Sequence, residues 1–459
     1  MISPNTISSL VDLISQASKV VEAAYEKSAQ PYIPSLNDTE PHPLDTQIWD
    51  HEVKKAIQIV EGACAQLCAT LAKPSHTVIN KAFGYPEVTS INVVVTNGIP
   101  DVLQGKPEGM HISEIGAKTG LEPTKIGRVL RLLASRHIFR EVSENVFANN
   151  RLSVPLISSN PFSNMSRHLS GEATKSGTFV AEVLGDPKWG HSFSPTETAF
   201  NRWSGSSVQL FDYFEDPRAA ELGANFALGL IGWAEYAEAD AVIEQFPWEE
   251  LGDGARVCDV GAGVGTMLLR LAKRYPRLKL ILQDLPERVL QAKNEVWPEK
   301  CPEAIAENRI AFEPFDFFKQ SPVSGCHVYY LKQVIHDWPD QEVVTILTGI
   351  KKVMAPYSRV LIHEIILRTA NRIPNADALH KQAPEPLLPN YGAASASHYN
   401  LDIQVMVFLN GTERKLSEFI KLGEIAGLRF ERLWDLGEMG LVEFRLRDTE
   451  QNVVTRGVF

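Results

Sequence analysis

One ten-residue stretch, Arg256-Val-Cys-Asp-Val-Gly-Ala-Gly-Val-Gly265, restricts the fold more than any other. An apolar run ends at an acid, Asp259, and Gly261, Gly263 and Gly265 then alternate with single residues. Helical spacing resumes with Met267, Leu268, Leu271 and Ala272. This order reads as strand, tight turn and helix. Glycine takes up the backbone angles of a sharp turn and lets a ligand press against the main chain. The helix behind the turn leaves its first N–H groups unpaired and facing that ligand. A second apolar run, Leu278-Lys-Leu-Ile-Leu-Gln-Asp284, again ends in an acid, which suits the hydroxyls of a ribose.

The spacing departs from the dinucleotide fingerprint, because the third glycine stands at 265 rather than 266. A turn of the form Asp-x-Gly-x-Gly-x-Gly, with an acid after the second strand, resembles that of class I S-adenosylmethionine (SAM) methyltransferases. The resemblance implies that Asp259 faces the amino-acid end of SAM. It puts Asp284 at the ribose, with Leu285 beside it on the cofactor side. The alternatives at this point are a dehydrogenase and a purely structural β–α turn.

At 459 residues the chain is long for one domain. Hydrophobic content of 44% and charged content of 22% are those of a globular protein. A net charge of −11 argues against general binding to nucleic acid or anionic membrane. The five cysteines form no CxxC pair or metal-spaced set, and Cys64 and Cys68, on one helix face, read as small core residues. With no signal-like start the expected setting is cytoplasmic, and no run of 18 apolar residues predicts a membrane-spanning helix.

Residues 5–26 and 45–72 read as helices joined by a proline-bearing connector. Residues 92–155 read as helix–turn–helix–hairpin, the winged-helix pattern: Ile112 to Gly120, then a helix through Ile126, Val129, Leu130 and Leu133, then Ile138–Val142 and Asn145–Ala148. The second of these helices carries Lys125, Arg128, Arg131 and Arg136, as a DNA reader would. The acidic balance favours a dimerisation or scaffold role instead. The expected division is a helical dimerisation domain over 1–155, a helical connecting and substrate-pocket region over 156–250, and a SAM-binding Rossmann-like domain over 251–459. The middle region is dense in aromatics, which build core or line an apolar pocket, and Met165 and His168 are candidates to reach that pocket.

From 255 onward strand and helix alternate, with candidate strands at 256–260, 278–284, 310–315, 326–332, 359–366, 429–434 and 441–447. The first five are expected to run parallel and the last two, separated by a short turn, to pair antiparallel. This predicts an α/β fold with a seven-stranded Rossmann-like sheet and its ligand at the carboxyl ends of the strands. Residues 368–399 interrupt the order, with Pro374, Pro384, Pro386 and Pro389, and read as a mobile surface loop.

Strand four leads into Leu331-Lys-Gln-Val-Ile-His-Asp-Trp-Pro-Asp340, strand five into Leu361-Ile-His-Glu-Ile365, and Gly411-Thr-Glu-Arg414 follows later. With these motifs the chain resembles, over nearly its whole length, the small-molecule O-methyltransferases of plants and fungi. Ala262 and the 368–399 insertion depart from that family's pattern. The resemblance implies SAM as cofactor, a homodimer, and His336 as general base flanked by Glu364 and Glu413. It places Asp316 and Phe317 at the adenine, and Lys332 and Trp338 on the cofactor side. Methyl transfer to a hydroxyl needs no metal, and the sequence offers no convincing ligand cluster. Alone, His336 could be structural, Glu413 a surface acid and Asp337-Trp-Pro a helix cap.

A histidine titrates near neutral pH and suits the deprotonation of a phenol or enol. A second reading keeps the SAM site but uses it for dehydration or pericyclic chemistry, with Lys332 and His336 donating hydrogen bonds to a substrate carbonyl. The intact His/Glu/Glu set favours O-methylation of a small secondary metabolite.

Overall fold

The protein was analysed as a computed structural model that describes residues 6–45, 47–373 and 382–447. By contact the chain forms two compact units, one of residues 1–237 with 368–410, the other of 238–367 with 411–459. These boundaries differ from three consecutive stretches. The 368–410 segment groups with the first unit because its apolar side chains, Leu387, Tyr391 and Phe408, are buried there.

The second unit is built on seven strands: β1 (Arg256–Val260), β2 (Lys279–Asp284), β3 (Ile310–Pro314), β4 (Val328–Lys332), β5 (Arg359–Glu364), β6 (Leu428–Asp435) and β7 (Gly440–Leu446). Their spatial order is β6-β7-β5-β4-β1-β2-β3. The first five run parallel. β7 lies antiparallel to both β5 and β6. So only β7 is reversed, and β6 regains the common direction at the edge.

Both faces of the sheet are covered, which explains the near-continuous apolar runs of the parallel strands. Side chains alternate between the faces. Val257, Leu280, Leu282, Val328 and Leu361 pack with Met267, Leu268 and Leu271 of the helix Thr266–Arg274. Val260, Ile281, Leu331 and Ile362 pack on the other side with helices Asp340–Lys351 and Leu416–Ile425. Beyond Glu364 the expected strand breaks. Ile366–Leu367 leaves the main sheet and pairs parallel with Arg414–Lys415, with Arg414 opposite Ile366. That small ladder carries the 411–414 motif to the end of β5.

In the first unit, helices Thr6–Glu26 and His51–Leu71 pack together through the fully buried Leu10 and Ala63. Ala383, Leu387 and Tyr391 complete this core, which corrects the expectation of a mobile surface loop for residues 382–399. Pro374 lies outside the described residues. Cys64 and Cys68 are exposed, not core, because the helix turns its Ala56, Gly62 and Ala63 face inward.

The winged-helix reading holds. Helix Ile112–Thr119 stops at left-handed Gly120, helix Pro123–Ser135 follows, and Arg140–Ser143 pairs with Val146–Ala148. Ile115, Ile126, Leu130, Leu133 and Phe147 form its core. Two of the four basic residues are engaged within the unit: Arg136 pairs with Glu87 at 3.1 Å and Arg131 donates to Asn145 at 2.9 Å. Helix Pro161–His168 packs against Ala220–Tyr236. Met165 and His168 are buried, and the His168 ring stacks on Phe408 with its Nδ1 3.6 Å from Glu172. Among the described residues no helix is long and apolar enough to cross a membrane.

Candidate active site

The three turn glycines all have positive φ, at 79°, 58° and 82° for Gly261, Gly263 and Gly265. Two are also forced by neighbours. A Cβ on Gly261 would meet Val334 at 2.9 Å, and one on Gly265 would meet Leu282 at 2.6 Å. Gly263 has nothing within 4 Å of that position, so the Cα side of the turn is open to a ligand. Its N–H donates to Asp284 Oδ2 at 2.6 Å, while Oδ1 accepts from the Leu285 amide at 2.7 Å. The second-strand acid thus braces the turn and stands at the end of β2. Burial raises its pKa against those two amides. Leu285 presents an exposed apolar side chain beside it.

Asp259 ends β1 almost fully buried. Burial pushes its pKa up to about 7, against the pull of the Lys332 ammonium and with a further push from Asp284. Lys332 is itself held below its ordinary range by burial, with Asp259 opposing. A buried carboxylate so poorly compensated fits the ammonium of an amino-acid moiety, and the open Cα side of Gly263 fits a close-lying ligand. These residues suit SAM.

Phe317 and Trp338 lie edge to face, ring centroids 5.8 Å apart, and Phe318 joins them 4.8 Å from Trp338. Asp316, next in sequence, accepts from the Phe318 amide and pairs with exposed Lys319 at 2.8 Å. The Lys319 ammonium lowers its pKa. Phe318 is a member of this aromatic group that sequence reading passed over.

The candidate base, His336, lies just past β4. Gln333 turns the chain with a positive φ of 50°. That directs the amides of Val334 and Ile335 onto Glu364 Oε1, each at 3.0 Å. His336 follows in a short 3₁₀ turn, buried. Its Nδ1 lies 2.6 Å from Glu413 Oε1 and 3.6 Å from Glu364 Oε2. With Nδ1–H donating to Glu413, Nε2 is the nitrogen that can take up a proton; Asp337 Oδ1 stands 3.4 Å from it. Burial pulls the imidazole pKa down, but Glu364 and Glu413 outweigh it and hold the ring well above its ordinary value. Burial lifts Glu364 to about 7 and Asp337 to about 6, with the imidazolium opposing both.

The structure places His336, Glu364 and Glu413 together, but the two acids make different contacts. Glu413 makes the short bond to the ring, and Glu364 mainly ties down the turn. The sequence pointed to no metal set, yet these three residues offer one nitrogen and two oxygens within 4.8 Å of one another. The 2.6 Å separation of Nδ1 and Oε1 is that of a charge-assisted hydrogen bond.

Several polar residues here had no assigned role. Asp337 and Arg414 were visible inside the quoted motifs. His363, neighbour to Glu364, is fully buried with Nδ1 2.6 Å from Tyr330 Oη. Burial, with Lys332 adding to it, drives its pKa down to about 3, so it is neutral.

A family model for the O-methyltransferase domain matches residues 192–429, and one for the O-methyltransferase dimerisation domain matches 80–159. The sequence is 40% identical over 439 residues to the 3-O-methyltransferase 2 of Phanerochaete chrysosporium, covering 95% of this chain and 97% of that one. Among solved structures, the mitomycin 7-O-methyltransferase MmcR matches with a TM-score of 0.65 and 25% identity, over 84% of this chain and 99% of that one. A structure described as a pericyclic reaction enzyme shares the fold, with a TM-score of 0.68 and 19% identity over 95% of this chain and 100% of that one.

Proposed function

The chain belongs to the O-methyltransferase family and works with SAM, and on that premise we propose that His336 is the general base that deprotonates a hydroxyl of a small phenol- or polyketide-like secondary metabolite. The observation that carries this reading is the 2.6 Å approach of Nδ1 to Glu413 Oε1; a carboxylate there accepts Nδ1–H, which fixes the tautomer and leaves Nε2 as proton acceptor. When bound, SAM supplies an electrophilic methyl group on a sulfonium. Asp259, the 261–265 turn, Asp284 and Leu285 hold its amino-acid and ribose portions, and Lys332 supports Asp259. Asp316, Phe317 and Trp338 hold the adenine end.

His336 Nε2 takes the hydroxyl proton as the acceptor oxygen becomes nucleophilic. Glu413 stabilises the imidazolium that forms, and Glu364 adds a second negative charge 3.6 Å away. A base of this kind supplies about 10²–10⁴-fold. The family's dimerisation-domain match supports a homodimer built by residues 1–155, and the net charge of −11 supports a small molecule over nucleic acid as partner. All five cysteines are free thiols, which supports a cytoplasmic setting.

The test is incubation with isotope-labelled SAM and candidate phenolic or polyketide hydroxyl compounds. Label transfer to an oxygen is expected, and His336→Gln keeps cofactor affinity while transfer falls by about 10²–10⁴-fold. Product formed with SAM unconsumed overturns the reading in favour of dehydration or pericyclic chemistry.

A further inference from the structure

The Gly-Thr-Glu-Arg segment at 411–414 does more than deliver Glu413. A Cβ on Gly411 would overlap the His336 carbonyl oxygen, so the two segments touch main chain to main chain at this point. The Thr412 amide donates to that same carbonyl at 2.8 Å. Arg414, only 2% exposed, then reaches over the turn that holds the base. Its Nη1 donates to the Ile335 carbonyl at 2.7 Å and its Nη2 to the Trp338 carbonyl at 2.6 Å. Nε and Nη2 both meet Asp340 Oδ1, at 3.1 and 3.0 Å. The guanidinium therefore holds residue 335 before the base, and residues 338 and 340 after it.

We propose that Arg414 is a positioning residue that fixes the direction of His336 Nε2 and, through the Trp338 carbonyl, ties the base turn to the aromatic group at the adenine end. The proposal rests on the reading of His336 as the base. Its physical root is the planar fork of the guanidinium, which satisfies three acceptors at fixed angles where an ammonium acts as a single point of charge. Asp340 closes the fork from outside, its side chain 72% exposed, and neutralises the buried charge. The register Arg414–Ile366 anchors the segment at its far side, so the clamp is held by backbone pairing as well as by side chain.

Displacing the ring by about 1 Å is enough to cost about 10²-fold in rate. Loosening the turn also lengthens the Nδ1–Glu413 bond, which takes support from the imidazolium and lowers the apparent pKa of the base. Arg414→Lys keeps the buried charge and is the informative variant. It is expected to lower kcat by about 10–10²-fold, to raise the KM for SAM by a smaller factor through the loosened Trp338, and to move the kcat–pH profile toward lower pH by about half a unit or more. Gly411→Ala, which pushes on the His336 carbonyl without altering any charge, is expected to move the profile the same way.

Arg414→Lys with an unchanged kcat, or with a reduced kcat and an unmoved profile, overturns the proposal. If Arg414→Lys does not fold, Asp340→Asn, an exposed change that weakens the hold on the guanidinium, decides, and an unshifted profile there overturns it equally. His336→Gln run alongside separates the two readings. Full activity in that variant removes the base itself, whereas an inactive His336→Gln beside a normal Arg414→Lys removes only the clamp.

Discussion

The proposed cofactor end and the proposed base occupy one unit but are assembled differently. Asp259, the glycine turn, Asp284 and Leu285 come from one continuous strand–turn–helix–strand segment, and the bond from Gly263 to Asp284 closes over 21 residues. His336 and Glu413 are 77 residues apart, and Glu364 comes from a third segment. At the cofactor end, local chain geometry places the groups. At the base, a strand register, a main-chain contact and the Arg414 fork must all agree before the imidazole points correctly. The first end is thus a property of a turn, and the second a property of the folded unit.

The largest effects are expected where this difference is forced. Gly263→Val puts a β-branched side chain at a φ of 58° and fills the open face of the turn. SAM affinity is expected to fall by more than about 10²-fold; nothing of the protein lies within 4 Å of the new Cβ, so the strain of the positive φ is the cost to folding. Calorimetry showing undiminished binding would remove the turn from the cofactor site.

At the base, Glu413→Gln and Glu364→Gln are expected to diverge. Glu413→Gln removes the negative charge facing Nδ1, so kcat is expected to fall by about 10–10²-fold. The imidazole pKa, held high by burial-opposed carboxylates, then drops, so the acid limb of the pH profile moves to lower pH. Activity requires the neutral ring, so in the wild type it rises with pH through an apparent pKa above the ordinary histidine range. Glu364→Gln keeps an oxygen for the Val334 and Ile335 amides and is expected to cost less activity. Equal losses in the two variants would show that the structure's division of their roles is mistaken.

The same contrast explains what the sequence disclosed. Alternating apolar runs ending in Asp259 and Asp284 announced the parallel sheet, since strands buried on both faces must be apolar along their length. Resemblance to a family, rather than spacing, supplied His336, Glu364 and Glu413, for no local rule links residues so far apart in sequence. The break after Glu364 and the Ile366–Arg414 pairing carried no sequence signal of their own. Cys64 and Cys68 read as core because helical periodicity shows that a stripe exists but not which partner it meets. The 382–399 segment misled in the opposite sense. Its prolines suggested a mobile surface loop; residues 382–391 do lack helix and strand, yet Leu387 and Tyr391 are buried.

The two ends also differ in how they hold protons, and Asp259 gives the smallest but most diagnostic effect. Its carboxyl is raised to about 7 by burial, with Lys332 opposing, whereas in the unfolded chain it titrates in the ordinary carboxylate range. Between those two values the folded protein binds the extra proton, so stability without cofactor declines as pH rises through that window and levels off above about 7. Asp259→Asn cannot ionise and is expected to lose this decline. Its Tm matches the wild type near pH 4 and exceeds it at pH 8 by a few degrees. Cofactor affinity behaves oppositely. A cation needs the ionised carboxylate, so wild-type affinity is expected to drop about tenfold per pH unit below about 7, and the variant binds weakly with a flat profile. Parallel Tm–pH curves for the two proteins, or a wild-type affinity flat from pH 5 to 8, would show that Asp259 is not the titrating group that receives the cofactor's charge.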